Sequence, residues 1–131
     1  MSMFKSLIGD LFASRAQALV NTVNCVGVMG KGVALEFKKR FPEMFKDYAS
    51  RCENKAVRLG EPYLYRDASG VLIVNFPTKD HWRSPSRLQD IERGLDYLAA
   101  QAAEWGIASI ALPPLGCGNG GLEWAEVGPL I

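Results

Sequence analysis

Two stretches of this chain, residues 16–20 and 107–112, are apolar at nearly every position, the composition of a strand covered on both faces. Such strands belong to parallel sheets and need crossover helices on both sides, so the fold has to alternate strand and helix. Each stretch is followed by a glycine-rich loop and then a helical pattern. The first loop reads Cys25-Val26-Gly27-Val28-Met29-Gly30-Lys31-Gly32 and the second Gly116-Cys117-Gly118-Asn119-Gly120-Gly121. A helix N-terminus presents unpaired N–H groups and a partial positive charge, and glycine lets the backbone close on an anion. Two such loops predict a ligand with a pyrophosphate.

The 131 residues suit one domain, 1–131, with a single core. A helical pattern begun at Leu122 is cut short at Ile131, so that domain is expected to lack its last elements, a final strand among them. No apolar run approaches a membrane span, and residues 1–14, with Lys5 and Asp10 in a short apolar stretch, lack a signal-peptide layout. A cytoplasmic location without a membrane partner follows. Cys25, Cys52 and Cys117 are odd in number and lack paired spacing, which speaks against a disulfide framework or a zinc site. His81 is the sole histidine, so a cysteine nucleophile would have no relay, and a small residue filling a tight turn is the better reading of the loop cysteines. No metal or cofactor is expected. The net charge of +1 gives no global attraction for nucleic acid, and Lys38, Lys39, Arg40 and Lys46 read as a solvated helix end.

Strands are predicted at 5–8, 16–20, 61–65, 71–76 and 107–112, the third and fourth joined as a hairpin by Asp67-Ala68-Ser69-Gly70. Val33, Ala34 and Phe37 have helical spacing up to the break at Phe41-Pro42, and a second helix runs through Met44, Phe45 and Tyr48. Leu88, Ile91, Leu95, Leu98 and Ala102 mark the clearest helix, with Ser86 and Gln89 as its capping box and Gly106 as its end. The expected fold class is α/β, a three-layer α/β/α sandwich with a mixed central sheet, its ligand at the carboxyl ends of the strands.

Neither familiar nucleotide loop fits. A P-loop would need glycine where Cys25 stands and serine or threonine where Gly32 stands, and Gly27, Gly30 and Gly32 reverse the dinucleotide spacing. The set formed by Gly9-Asp10-Leu11-Phe12, then Val20-Asn21-Thr22-Val23-Asn24, the first glycine loop, and Pro113-Pro114-Leu115-Gly116-Cys117-Gly118 instead resembles the macrodomain family, binders and hydrolases of ADP-ribose. The stretch from Asn24 to Ala34, with Phe37-Lys38-Lys39 after it, is similar to the branch of terminal ADP-ribose protein glycohydrolases. Asn75-Phe76-Pro77-Thr78-Lys79-Asp80-His81-Trp82 narrows the likeness to DarG-type antitoxin macrodomains, which remove ADP-ribose from thymidine modified by a DarT-type toxin.

That resemblance implies a macrodomain fold, ADP-ribose and ADP-ribosylated single-stranded DNA as ligands, and the cognate toxin as a partner. It puts Asp10 and the backbone of Leu11 at the adenine, where a carboxylate suits an exocyclic amine. Asn21, Thr22 and Asn24 would surround the ribose next to the scissile bond, although asparagine at position 24 could equally shape the loop, and Asn21 is the stronger candidate as a residue at a strand end. Gly27, Val28, Met29, Gly30, Lys31, Gly32 and Val33, with Thr78, and the second-loop residues Pro114, Leu115, Gly116, Cys117, Gly118, Asn119 and Gly120, would wrap the diphosphate and distal ribose. In that cradle Val28 and Met29 are expected to lie over the ligand. Lys79 matches the branch's catalytic lysine and would attack the anomeric carbon C1″ as a neutral amine, or else stabilise the leaving group. Protein-directed members carry an aspartate where this chain has Gly120, so proton transfer would fall to Asp80 or His81, and the smaller loop would admit a nucleobase. Trp82 and Arg83 suit stacking on a base and contact with a strand's phosphates, or simply cover a helix end. The rival functions are removal of ADP-ribose from protein glutamate, non-catalytic ADP-ribose binding, and phosphatase action on ADP-ribose 1″-phosphate.

Overall fold

The computed structural model describes residues 4–6, 16–30, 32–81 and 87–112. Their elements run β1 (Phe4–Ser6), β2 (Ala18–Val23), α1 (Gly32–Arg40), α2 (Pro42–Glu53), β3 (Tyr63–Arg66), β4 (Leu72–Pro77), α3 (Leu88–Ala102) and β5 (Ile110–Leu112). One sheet holds the strands in the order β1-β5-β2-β4-β3. Its pairings are parallel except β3 with β4, the expected hairpin, whose turn is closed by the Gly70 N–H on the Asp67 carbonyl at 3.0 Å.

Alternation along β2 explains its unbroken apolar run, since successive side chains leave the sheet on opposite faces. Ala18 and Val20, with Val74, Phe76 and Ile110, meet Ile91, Leu95, Leu98 and Ala102 of α3. Leu19 and Val23, with Ile73 and Ala111, meet Phe37 of α1 and Met44 and Tyr48 of α2. Three layers result, as expected. The approach of α3 is close enough to require glycine at one position: a Cβ on Gly94 would fall 2.4 Å from Cζ of Phe76. Pro42 opens α2 after the break at Phe41. Lys38, Lys39 and Arg40 fill the exposed last turn of α1, where Arg40 lies 3.9 Å from Glu36 and the Lys38 ammonium sits 4.4 Å above the Phe45 ring.

Several boundaries differ from the sequence reading, each for a local reason. β2 does not stop at Val20 but continues to Val23, because Asn21 and Thr22 pair in register with Asn75 and Phe76. β5 begins at Ile110 rather than 107, because Ile107 is spent on ending α3. Its N–H bonds the Ala102 carbonyl at 2.9 Å, the Gly106 N–H bonds Ala103 at 3.2 Å, and Gly106 sits at φ +72°. That is a Schellman ending, with Ile107 folded back into the core. α3 opens with Arg87 at its N-cap position and no side-chain cap bond there, so Gln89 finds no capping box at that position, and Ser86 lies outside the described residues. β3 and β4 shift by one or two residues, and Pro77 closes β4. Residues 7–8, the second glycine loop and the helical pattern from Leu122 also lie outside the described residues. Among the described residues no helix is long and apolar enough to cross a membrane.

Gly94→Ala tests the α3 contact by its sign. Replacing glycine by alanine inside an ordinary helix stabilises by about 1 kcal/mol. Here overpacking against Phe76 is expected to destabilise by about 1–3 kcal/mol, read from the urea midpoint.

Candidate functional site

At the carboxyl ends of β2 and β4 hydrogen bonds still join the two chain segments where the strand register has ended. The Thr78 N–H bonds the Val23 carbonyl at 2.9 Å, and the Cys25 N–H bonds the Asp80 carbonyl at 2.9 Å. Lys79 lies between these bonds, half-buried, its main chain clamped alongside Asn24, while Asp80 and His81 are exposed. The residue expected to do chemistry and the first glycine loop are therefore one mechanical unit.

Asn24 organises that loop, which is the shaping role left open above. Its side-chain oxygen accepts the N–H of Val26 at 3.0 Å and of Val28 at 3.3 Å, while its Nδ2 donates to the Val28 carbonyl at 2.7 Å. Gly27 at φ +88° makes the tight return possible. The Val26 and Val28 amides are thus spent inside the loop, and the cradle's main-chain donors have to come from Met29 onward. Met29 is expected over the ligand, but its side chain is 1% exposed and belongs to the core beneath the loop. Val28, 40% exposed, does face outward. Gly30 and Gly32 are exposed, and α1 begins at Gly32 with no acidic residue in its first turn, so none of its own carboxylates offsets its positive end there. Val33 sits in that turn, half-buried.

Asn21 is not at a strand end but inside β2, fully buried. Its Nδ2 donates to Asn75 Oδ1 at 3.0 Å and lies 3.8 Å from Met29 Sδ. Asn75 in turn donates to the Tyr63 hydroxyl at 3.1 Å and lies 3.4 Å from Met44 Sδ. This amide ladder fixes which way Asn21 points. Its Oδ1 remains, among the described residues, a buried side-chain oxygen without a partner, an acceptor suited to a hydroxyl or a water. Thr22 is half-buried and Thr78 is 4% exposed.

Burial sets the protonation states around the loop. Desolvation, helped by the Asp80 charge, pushes the Cys25 thiol up to about 12, and desolvation raises Cys52 as well. Neither is a thiolate at neutral pH, in line with the turn-filling reading. Desolvation likewise raises the Tyr48 and Tyr63 phenols, keeping both protonated, Tyr48 as a donor to Asn24. Tyr48, read from the sequence only as an apolar helix position, reaches Asn24 with its hydroxyl, and Asn75 and Tyr63 carried no spacing signal that would have singled them out. Asp10, Leu11, Lys31, Trp82, Arg83, Pro114, Leu115, Gly116, Cys117, Gly118, Asn119 and Gly120 lie outside the described residues.

Residues 20–131 match the Macro domain family model. A DNA ADP-ribosyl glycohydrolase of Thermus aquaticus is 50% identical over 128 residues, 95% of this chain and 36% of that protein. The solved macrodomain of Mycobacterium tuberculosis DarG superposes with a TM-score of 0.92 at 49% identity, covering 98% of this chain and 87% of that one. Thermosipho africanus DarTG, solved in complex with ADP-ribose, superposes with a TM-score of 0.92 at 40% identity over 99% of this chain and 38% of that one. The chain spans about a third of the length of the curated relatives it matches.

The raised thiol and phenols predict alkaline destabilisation. Between the ordinary thiol value of 9.0 and about 12 the unfolded chain has lost the Cys25 proton while the folded one keeps it. Stability present below pH 9 is therefore lost as pH rises through that window, and the two tyrosines add to the loss from their ordinary value of 10.0. Urea midpoints are expected to fall between about pH 8 and about pH 10.5, and Cys25→Ser to fall less over the same interval. An equal fall in the variant would remove the thiol from this account.

Proposed function

Because the chain belongs to the macro domain family, we propose that it is a hydrolase that removes ADP-ribose from thymidine in single-stranded DNA. It would act in the cytoplasm as antitoxin to a DarT-type DNA ADP-ribosyltransferase. The observation that carries this reading is the identity of about one residue in two with DNA ADP-ribosyl glycohydrolases across the stretch that includes Lys79 and its loop. The clamp of Lys79 against that loop supports it, since an amine that attacks a sugar has to be held in register with the group that binds the sugar's phosphates.

In this reading the N–H groups of Met29 and Gly30 and the open first turn of α1, with Lys31, hold the diphosphate. Gly27 and Val28 close the loop around it, and the second loop, from Pro114 to Gly120, covers the other side. Asp10 and Leu11 meet the adenine. The free oxygen of Asn21 takes a donor from the distal ribose or a water bound to it, with Thr22, Asn24 and Thr78 lining the same end. The Lys79 amine, in its neutral form, donates its lone pair to C1″. The bond from C1″ to the thymine nitrogen breaks and its electron pair leaves with the base; the proton that the amine sheds on bonding is relayed to the base by Asp80 or His81. Water then hydrolyses the lysine adduct, releasing ADP-ribose and restoring the amine. Trp82 and Arg83 meet the DNA strand. The glutamate-directed alternative fits less well, because glycine stands at position 120 where those enzymes place their aspartate.

Lys79→Ala is expected to slow release of ADP-ribose from a modified oligonucleotide by at least about 100-fold while its affinity for free ADP-ribose stays within a few-fold. Full activity in the variant, read by oligonucleotide mobility, would remove Lys79 from the chemistry. Tight binding with no release from DNA by the wild-type protein would instead identify a reader of ADP-ribose.

A further inference from the structure

We propose that Tyr48 is a positioning residue for this reaction, holding through Asn24 both the diphosphate loop and the segment that carries Lys79. The inference rests on the reading that this loop binds ADP-ribose and that Lys79 attacks it. Tyr48 sits on α2 and is fully buried against Phe37, Met44 and Met29, a setting that phenylalanine would fill equally well. Its hydroxyl is used elsewhere, at 2.9 Å from the main-chain oxygen of Asn24 and 2.7 Å from Oδ1 of the same residue.

Both contacts lead into the site, the single phenol proton being shared between the two oxygens. The Oδ1 that Tyr48 reaches is the oxygen that also gathers the Val26 and Val28 amides, and together they fix the turn. The main-chain oxygen of Asn24 belongs to the same rigid peptide group as the Cys25 N–H, and that N–H holds the Asp80 carbonyl. Tyr48 grips one end of this plane and the Lys79 segment hangs from the other. Rotation of the plane would move Asp80, and Lys79 with it, relative to the loop. Gly27 and Cys52 also border this hydroxyl, so the turn of the loop and the phenol meet in one polar cluster.

Tyr48→Phe keeps the ring and removes only the hydroxyl. Three readouts are expected to change together: faster hydrogen exchange at the Cys25, Val26 and Val28 amides with α3 amides unchanged, a rise of about fivefold in the Kd for free ADP-ribose, and a fall of about tenfold in kcat for release from DNA. Phe45→Leu serves as the structural control, since Phe45 packs beside Tyr48 at 6.1 Å between ring centroids and its side chain carries no hydrogen-bonding group. It is expected to lower Tm while keeping kcat within twofold. Loss of activity in proportion to lost stability in both variants would overturn the positioning role, as would unchanged loop exchange, or unchanged Kd and kcat, in Tyr48→Phe. Should the wild-type protein bind ADP-ribose yet release none from DNA, the proposed function fails while loop exchange and Kd still decide the role of Tyr48.

Discussion

The hydrogen bonds from Thr78 to Val23 and from Cys25 to Asp80 tie together the segments that leave β2 and β4, and the rest of the site is arranged around that tie. Strand ends ordinarily separate into independent loops, with the conformational freedom that brings. Here the loop after β2 and the segment after β4 are tied to each other by the bond from Cys25 to Asp80. Their relative position is inherited from a sheet whose register is set by the core. A glycine loop free to wander would lose, on closing around an anion, much of the binding energy that the anion supplies.

Register itself is pinned by polar groups. Asn21, Asn75 and Tyr63 stand opposite one another on three adjacent strands and exchange hydrogen bonds across them. A slip of β2 by one residue would put Asn21 opposite Val74 or Phe76 and turn its side chain toward α3. Leaving such an amide buried without partners costs about 1–3 kcal/mol for each group. An apolar core tolerates sliding better than this ladder does, so the same residues that complicate the core fix the ends of the strands to which the loop and Lys79 are attached.

What the sequence disclosed follows from the same distinction. Layers and strand direction were legible because the continuous apolar runs of β2 and β5 and the 3.6-residue spacing of α3 have few alternative solutions. Asn21 and Thr22 read as the end of a strand because polar residues usually mark one, and only the amides of the neighbouring strands make them interior. Ile107 read as strand because it is apolar, yet it caps α3, a role decided by the conformation of Gly106 one residue earlier. The loop read as a uniform cradle from its glycines, whereas its first half is closed on Asn24, whose short side chain gives no sign of how many amides it will gather. Tyr48 lay hidden for the converse reason: a phenol at an apolar helical position looks like packing until the partner of its hydroxyl, 24 residues away, is known.

The electrostatic character of the pocket's support then bears on how an amine could act beside a diphosphate. Negative charge near a lysine favours its ammonium form, which is not nucleophilic. The buried groups beneath the first loop are neutral, protonated Cys25, protonated Tyr48 and side-chain amides, while the Asp80 carboxylate at its edge is exposed to water that screens it. On the reading proposed above, charge on a bound diphosphate would be met by fixed dipoles, the amides of Met29 and Gly30 and the positive end of α1, whose first turn holds no carboxylate. Dipoles already oriented by the fold need not reorganise when the ligand arrives, and they offset part of its charge. On the proposed reading, anion binding and amine reactivity are compatible in so small a site because the first is carried by main chain and helix, leaving the lysine for the second.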